Sequence, residues 1–302
     1  MTPVAAGPAE SADPAPEEAV AKEAAIRPMP DWATDMVDLH VHAAPSLLPR
    51  HGTDPETIAI ERSLGFSTIV LKSHEGSTAE RAALAGPGVY GGIVLNSAVG
   101  GGNPDAVEVA ARLGARVVWM PTVSSATHKA GASNPELSVH SGFELGLVEV
   151  LDGDRLRPEW YDVLDVIAAH DLLLASGHLS ADETCRLFAI ASSRGVRRLM
   201  VNHPKMSFLG WNRHAAEELR RLGAHLELGI LPDLLGGPEN RSIDLVEEYP
   251  HDLLVFGADL GHAHHPAPAQ AVPVWLADLE KRIGEVRARA ILTSNGRALL
   301  NR

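Results

Sequence analysis

The stretch Met36-Val37-Asp38-Leu39-His40-Val41-His42 reads as an apolar strand that runs straight into a His-x-His pair. Side chains two apart on a strand point to the same face, so His40 and His42 present two imidazoles side by side. Neutral imidazole suits Zn, Fe, Ni and Cu, and two on one rigid element make a natural start for a transition-metal site. Taken alone, the pair reads more readily as two ordinary histidines at a strand end. The surrounding chain has to decide.

Outward from this stretch, the 302-residue chain alternates short β-rich runs with helical patterns. Seven further runs read as strands, over 67–71, 89–95, 116–120, 172–176, 198–201, 225–230 and 253–258. Between them, polar starts and glycine-marked ends delimit helices. Thr53-Asp54-Pro55-Glu56 opens one that stops before Gly65, and Asn103-Pro104-Asp105 opens another that stops before Gly114. Ser180-Ala181-Asp182-Glu183 opens a third, stopping before Gly195, and Asn212 a fourth, stopping before Gly223. Proline near the first turn and glycine just past the last is the asymmetry expected of helix ends. Repeated β-α units imply a parallel sheet, and eight of them in about 250 residues predict an α/β fold of the (β/α)8 TIM-barrel kind. A doubly wound open sheet is the alternative. Two connections are long, 121–158 after the fourth strand and 259–270 after the eighth. In a barrel such loops sit on the C-terminal face, where active sites of this fold are built. The first, with Ser124, Ser125, His128, Lys129 and Gly131, is the expected lid.

Residues 1–30 are rich in Ala, Pro and Glu and lack the large apolar side chains that offset the entropy of ordering. They read as a disordered tail before a single domain over 31–302. Hydrophobic content of 45% and a charged fraction of 22% place that domain among soluble globular proteins. A formal net charge of −13, with no basic run, argues against nucleic acid or anionic membrane as partners. A small-molecule substrate is the expected partner, and assembly into a homo-oligomer is compatible with the sequence. Cys185 is the only cysteine, which excludes an intramolecular disulfide and a thiolate metal cluster and fits the reducing cytoplasm. Neither a secretory signal nor a membrane span is expected.

The reactive residues fall at strand ends. Lys72 and His74 end the second strand in Val70-Leu71-Lys72-Ser73-His74-Glu75. His178 ends the fifth in Ala175-Ser176-Gly177-His178, and His203 the sixth in Met200-Val201-Asn202-His203-Pro204. Asp259 ends the eighth in Phe256-Gly257-Ala258-Asp259. In a barrel all of these converge on one mouth, and a charged Asp after an apolar run needs a partner when buried. This pattern resembles the metal site of the amidohydrolase superfamily of metal-dependent hydrolases, with its HxH on strand one, single His on strands five and six, and Asp on strand eight. Ser294-Asn295-Gly296-Arg297-Ala298-Leu299-Leu300 is similar to the Asn-Pro-Ala-x-Leu-Leu ending common there, with Gly296 in place of Pro. The resemblance spans residues 36–302. It implies His40, His42, His178, His203 and Asp259 as metal ligands and one or two divalent ions, zinc by default, with Mn or Fe as alternatives. It also implies Asp259 as the catalytic acid/base and hydrolysis of an amide, cyclic amide, lactone or ester by a metal-activated water.

The sequence departs from that family at strand four, where Trp119-Met120-Pro121-Thr122 offers no bridging Lys or Glu. Lys72 is the only lysine at a strand end. It is assigned either to a bridging carbamate or to orienting an anionic substrate, and its place on strand two favours the second. A weaker resemblance, through Asp38-Leu39-His40-Val41-His42 and Ser73-His74, is to the polymerase-and-histidinol-phosphatase phosphoesterases, which would bring His74 into the site. The same ligands would also serve a metal-dependent decarboxylase or a non-catalytic metal-binding protein. Glu227, if inward on strand seven, is a buried carboxylate facing the mouth. His262, with His264 and His265, is a candidate substrate contact, Trp119 is expected in the pocket wall, and Gly100-Gly101-Gly102 reads as a tight turn.

Overall fold

The computed structural model describes residues 27–237 and 240–300. The tail expected over 1–30 lies outside the described residues as far as residue 26. Residues 27–30 are described, and Met29 packs against the core.

The strands, in chain order, are β1 (Met36–His42), β2 (Phe66–Lys72), β3 (Val89–Tyr90), β4 (Gly92–Val94), β5 (Val117–Trp119), β6 (Leu151–Asp152), β7 (Arg155–Leu156), β8 (Leu173–Ala175), β9 (Arg198–Val201), β10 (His225–Leu228) and β11 (Leu254–Phe256). β6 and β7 form a small antiparallel hairpin inside the long fourth loop. The rest are parallel, in the orders β1-β2-β3 and β4-β5-β8-β9-β10-β11. β3 and β4 are two halves of the third barrel strand, interrupted at Gly91, where a Cβ would stand 2.3 Å from the Thr78 carbonyl oxygen. The ring closes between its first and last strands. Val41 bridges Leu260 in parallel, the His42 amide donates to the Leu260 carbonyl and the Asp259 amide donates to the His40 carbonyl. Eight barrel strands therefore stand where the sequence put them, as a (β/α)8 barrel.

The helix ends follow the predicted chemistry. Ser180 and Glu183 form a reciprocal capping box on the helix Ala181–Ser193, and Asn103 and Asn212 accept from the amides of Ala106 and Ala215. Such caps satisfy amides that have no partner within the helix. Two apolar layers follow from strand alternation. Met36, Ile69, Leu71, Leu226 and Leu228 face the surrounding helices, while Val37, Leu39, Val70, Val117, Leu173 and Val255 fill the barrel interior. Trp119, expected in the pocket wall, belongs to that interior. It lies under His40 and Lys72, 6.5 Å from the imidazole centroid and 5.7 Å from Nζ.

The 121–158 stretch, which shows no apolar period, contains the short helix Ala126–Ala130, a 3-10 segment Pro135–His140 and the hairpin. Each is too short to leave a periodic signal. At the opposite end of the barrel Asn295 Nδ2 donates to the carbonyls of His251 and Leu254, 2.8 Å each. Gly296 lies against Val37, where a Cβ would be 3.0 Å from Cγ1. No helix among the described residues is long and apolar enough to cross a membrane.

Candidate metal centre

Three atoms of metal-ligand type converge at the C-terminal mouth. Asp259 Oδ1 lies 3.0 Å from His40 Nε2 and 3.2 Å from His42 Nε2, and these residues form a group able to hold one ion. The local backbone explains how they meet. Between Asp38 and Val41, β1 carries one residue more than its partner β2. Val37 and Leu39 point into the barrel interior, and after this bulge His40 and His42 take over the inward face. Strict alternation would have denied it to them. On the last strand Val255, Gly257 and Asp259 follow one another inward. A Cβ at Gly257 would stand 2.8 Å from both Glu227 Oε2 and His40 Cβ, so only glycine admits this approach. Asp259 itself has φ of 55° and His203 φ of 30°. Such left-handed backbone in side-chain-bearing residues is held by its surroundings and aims both groups at the mouth.

Glu227 is fully buried, inward on β10 as alternation allows. Its carboxylate accepts from His40 Nδ1 at 2.9 Å, Asn202 Nδ2 at 3.0 Å and the His203 amide at 3.3 Å. Because a carboxylate only accepts, the neutral His40 ring carries its hydrogen on Nδ1 and turns the Nε2 lone pair toward Asp259 Oδ1. Two acceptors at 3.0 Å repel unless a cation is shared between them. Lys72 Nζ, 2.9 Å from His40 Nε2, supplies part of that need. Burial alone would lower the His40 pKa, but Asp259 and Glu227 outweigh it and the ring is raised. A proton is one cation this pair attracts, and a divalent metal is the other. The donor set of two imidazoles and one carboxylate, one imidazole oriented from behind by a second carboxylate, fits such an ion. Burial pushes the Asp259 carboxyl up, yet the adjoining His40 and His42 rings hold it well below the usual range. Lys72 is pulled down by burial, opposed by Asp259 and Glu227.

A second group of histidines faces the first. The rings of His178 and His203 are 5.1 Å apart, and His203 is 5.9 Å from His40. His74 stacks on His42 at 5.1 Å. The long loop adds His128, whose Nδ1 is 2.9 Å from His178 Nδ1, and His140, whose Nε2 is 3.2 Å from His74 Nε2. Burial holds His42, His74, His140 and His178 well below the usual imidazole range. His203 is brought down to about 4 by the same cause. Neutral rings keep the lone pairs that ligation requires. His42, Lys72, His74, His178, His203, Asp259 and His262 line one pocket of about 30 Å³, with Leu137, Val139 and His140 of the long loop over it. That is room for about two water-sized groups.

The model of a family of unknown function, DUF6282, matches residues 35–227. The chain belongs to that family. Its matched span runs from β1 to Glu227 and leaves Asp259 beyond the last matched residue. No curated protein matches the sequence. Among solved structures, an amidohydrolase from Pseudomonas aeruginosa is similar at a TM-score of 0.60 and 12% identity, over 89% of this chain and 96% of the other. A Pseudomonas putida protein assigned as a 2-pyrone-4,6-dicarboxylic acid hydrolase gives 0.57 and 16%, over 88% and 97%. The TatD homologue YJJV from Escherichia coli gives 0.53 and 15%, over 89% and 98%. At these identities the likeness is one of fold, the (β/α)8 barrel that the strand pattern implied.

The structure brings the predicted ligands, with Lys72, His74 and Glu227, to one mouth. His262, candidate contact or solvated loop residue, is buried and lines the pocket. His264, beside it on the same loop, lies outside the pocket lining. Sequence reasoning missed His140 and Arg50. Neither follows an apolar run, and each is delivered by a loop whose course has no sequence period.

Proposed function

We propose that this chain is a metal-dependent hydrolase acting on a small molecule at the barrel mouth. The observation that carries the reading is the convergence of His40 Nε2 and His42 Nε2 on Asp259 Oδ1 while Glu227 fixes the far nitrogen of His40. His40, His42 and Asp259 would hold a divalent ion, zinc by donor type, with His178 and His203 completing its shell or holding a second ion. Bound there, the ion supplies Lewis acidity, bringing the pKa of a water to about 7 and polarising the bond to be cleaved. Asp259 takes the water proton, then returns it to the leaving group. Glu227 keeps His40 in the ligating tautomer. The long loop, through Leu137, Val139 and His140, excludes bulk water from the mouth. Lys72, buried at the same mouth, orients an anionic group of the substrate rather than bridging two ions as a carbamate. An intact-mass gain of one carbon dioxide on Lys72 would reverse that assignment.

The test is metal analysis of the purified chain together with a screen of lactones, cyclic amides, esters and phosphomonoesters. The expected result is at least one bound ion per chain and turnover of a carbonyl substrate that stops on chelation and returns with metal. A chain that binds no divalent ion, or turnover indifferent to chelation, would sink the reading. Turnover confined to phosphomonoesters would favour a phosphoesterase, and release of carbon dioxide a decarboxylase.

A further inference from the structure

The pocket holds a cation that the chemistry above leaves unused. Arg50 lies on the loop after β1, its backbone bridged antiparallel to His262, so it is fixed between the loops that follow the first and last barrel strands. Its guanidinium lines the pocket with Lys72 and Asp259. The one hydrogen bond it makes is from Nη2 to His42 Nδ1, at 3.3 Å. Its Nε is buried with no partner at all. Arg50 forms no ion pair among the described residues, whereas Arg81 is locked to Asp54 at 2.6 Å and Arg198 to Asp171 at 2.6 Å. Glu75 and Asp259 act on this half-buried cation only from beyond ion-pair distance, and a largely desolvated guanidinium with no carboxylate in contact is stabilised by a ligand that supplies one.

We propose that Arg50 is the subsite for a carboxylate on the substrate, so that the barrel mouth takes a small carboxylic acid. This rests on the reading of the mouth as a metal-dependent active site. The planar guanidinium offers parallel N–H donors matched to the two oxygens of a carboxylate. Much of the remaining lining is apolar, with Leu48, Leu137 and Phe208, which suits one anionic end on an otherwise uncharged molecule. Lys72 adds a second positive charge to the same pocket.

The link to His42 makes the subsite dependent on the metal. A guanidinium only donates, so its bond to Nδ1 leaves the neutral His42 ring with its hydrogen on Nε2, toward Asp259. When His42 ligates through Nε2, the hydrogen must sit on Nδ1, where it faces the Arg50 donor. Arg50 then loses its only partner and is free for the substrate.

The test is calorimetric titration of the full chain, metal-free and metal-loaded, with malonate, the neutral malonamide and inorganic phosphate. Wild type, Arg50→Met and Arg50→Lys are compared after their thermal midpoints show that each is folded. Malonate affinity should fall at least about tenfold in Arg50→Met and less in Arg50→Lys, with malonamide indifferent to both. The wild-type affinity should rise on metal loading, and metal stoichiometry should be the same in all three chains. Malonate bound equally by wild type and Arg50→Met in both metal states overturns the proposal. So does phosphate bound more tightly than malonate with the same dependence on Arg50. If the chain binds no metal, the metal-free titration still decides the role of Arg50, while the hydrolase reading fails separately.

Discussion

The lower and upper halves of the barrel interior are built by the same strands and obey opposite rules. Below, Val37, Leu39, Val70, Val117, Leu173 and Val255 fill the tube with apolar volume. Above, toward the C-terminal ends of the barrel strands, stand His40, Lys72, His178, Glu227 and Asp259, all buried or nearly so. The lower half stabilises by burial alone. The upper half removes charges and imidazoles from water and returns the cost only through directed partners. A change in one half should therefore leave the signature of the other intact.

The largest effect is expected at the mouth. Asp259→Asn keeps shape but removes the charge that draws the two histidines together. Turnover should fall by at least about a thousandfold and most bound metal should be lost, on the scale of removing a group essential to the reaction, while circular dichroism stays native. Full metal occupancy with normal turnover would break the ligand assignment. In the lower half, Leu39→Ala should cost about 2–5 kcal/mol of stability, through lost burial and a residual cavity, with metal stoichiometry per folded chain unchanged. Loss of metal without loss of stability in that variant would erase the distinction between the halves.

Acid should act on the upper half. His42, His74, His140, His178 and His203 have folded pKa values below the unfolded value near 6.5. As pH drops below about 6.5 the unfolded chain takes up protons that these buried rings refuse. Stability of the metal-free protein should then fall toward pH 4, each ring contributing up to about 1.4 kcal/mol per pH unit. His40, Asp38 and Glu61, all raised in the fold, pull the other way but are fewer. Denaturant midpoints from about pH 7.5 to 4.5 measure the sum, and a flat profile would mean the histidines are not buried neutral. The smallest effect is reserved for Glu227→Gln, which can still accept from His40 but without charge. Metal affinity should weaken about 10–100-fold with little change in thermal midpoint of the metal-free chain. An unchanged affinity would show that His40 needs no orienting carboxylate.

Much of this is legible in the sequence because the informative signals are local. Each barrel strand is a short apolar run, each flanking helix has a polar start, and each predicted metal ligand lies at the end of such a run. What escapes a sequence reading lies in irregular backbone. The bulge between Asp38 and Val41 decides which face His40 and His42 share with the interior, and nothing in the residue types announces it. Arg50 and His140 come from loops, where position is fixed by tertiary pairing such as the bridge from Arg50 to His262. Trp119 stands one layer below its expected place because an inward position on a barrel strand belongs either to floor or to mouth, and spacing alone does not separate the two.

The ring is joined where its first strand meets its last, and that joint is where His40, His42 and Asp259 gather. Across it Ala258 donates to Asp38 Oδ1, a contact between residues 220 apart in the chain. An ion gripping both sides of this joint would act as the clasp of a bracelet. It ties together two segments whose meeting closes nearly the whole chain into one loop, and a link across so long a loop removes more freedom from the unfolded chain than a short one would. In the proposed reading, the fastening of the fold and the seat of its chemistry are one object. Stripping the metal would loosen the barrel first at the place where it works.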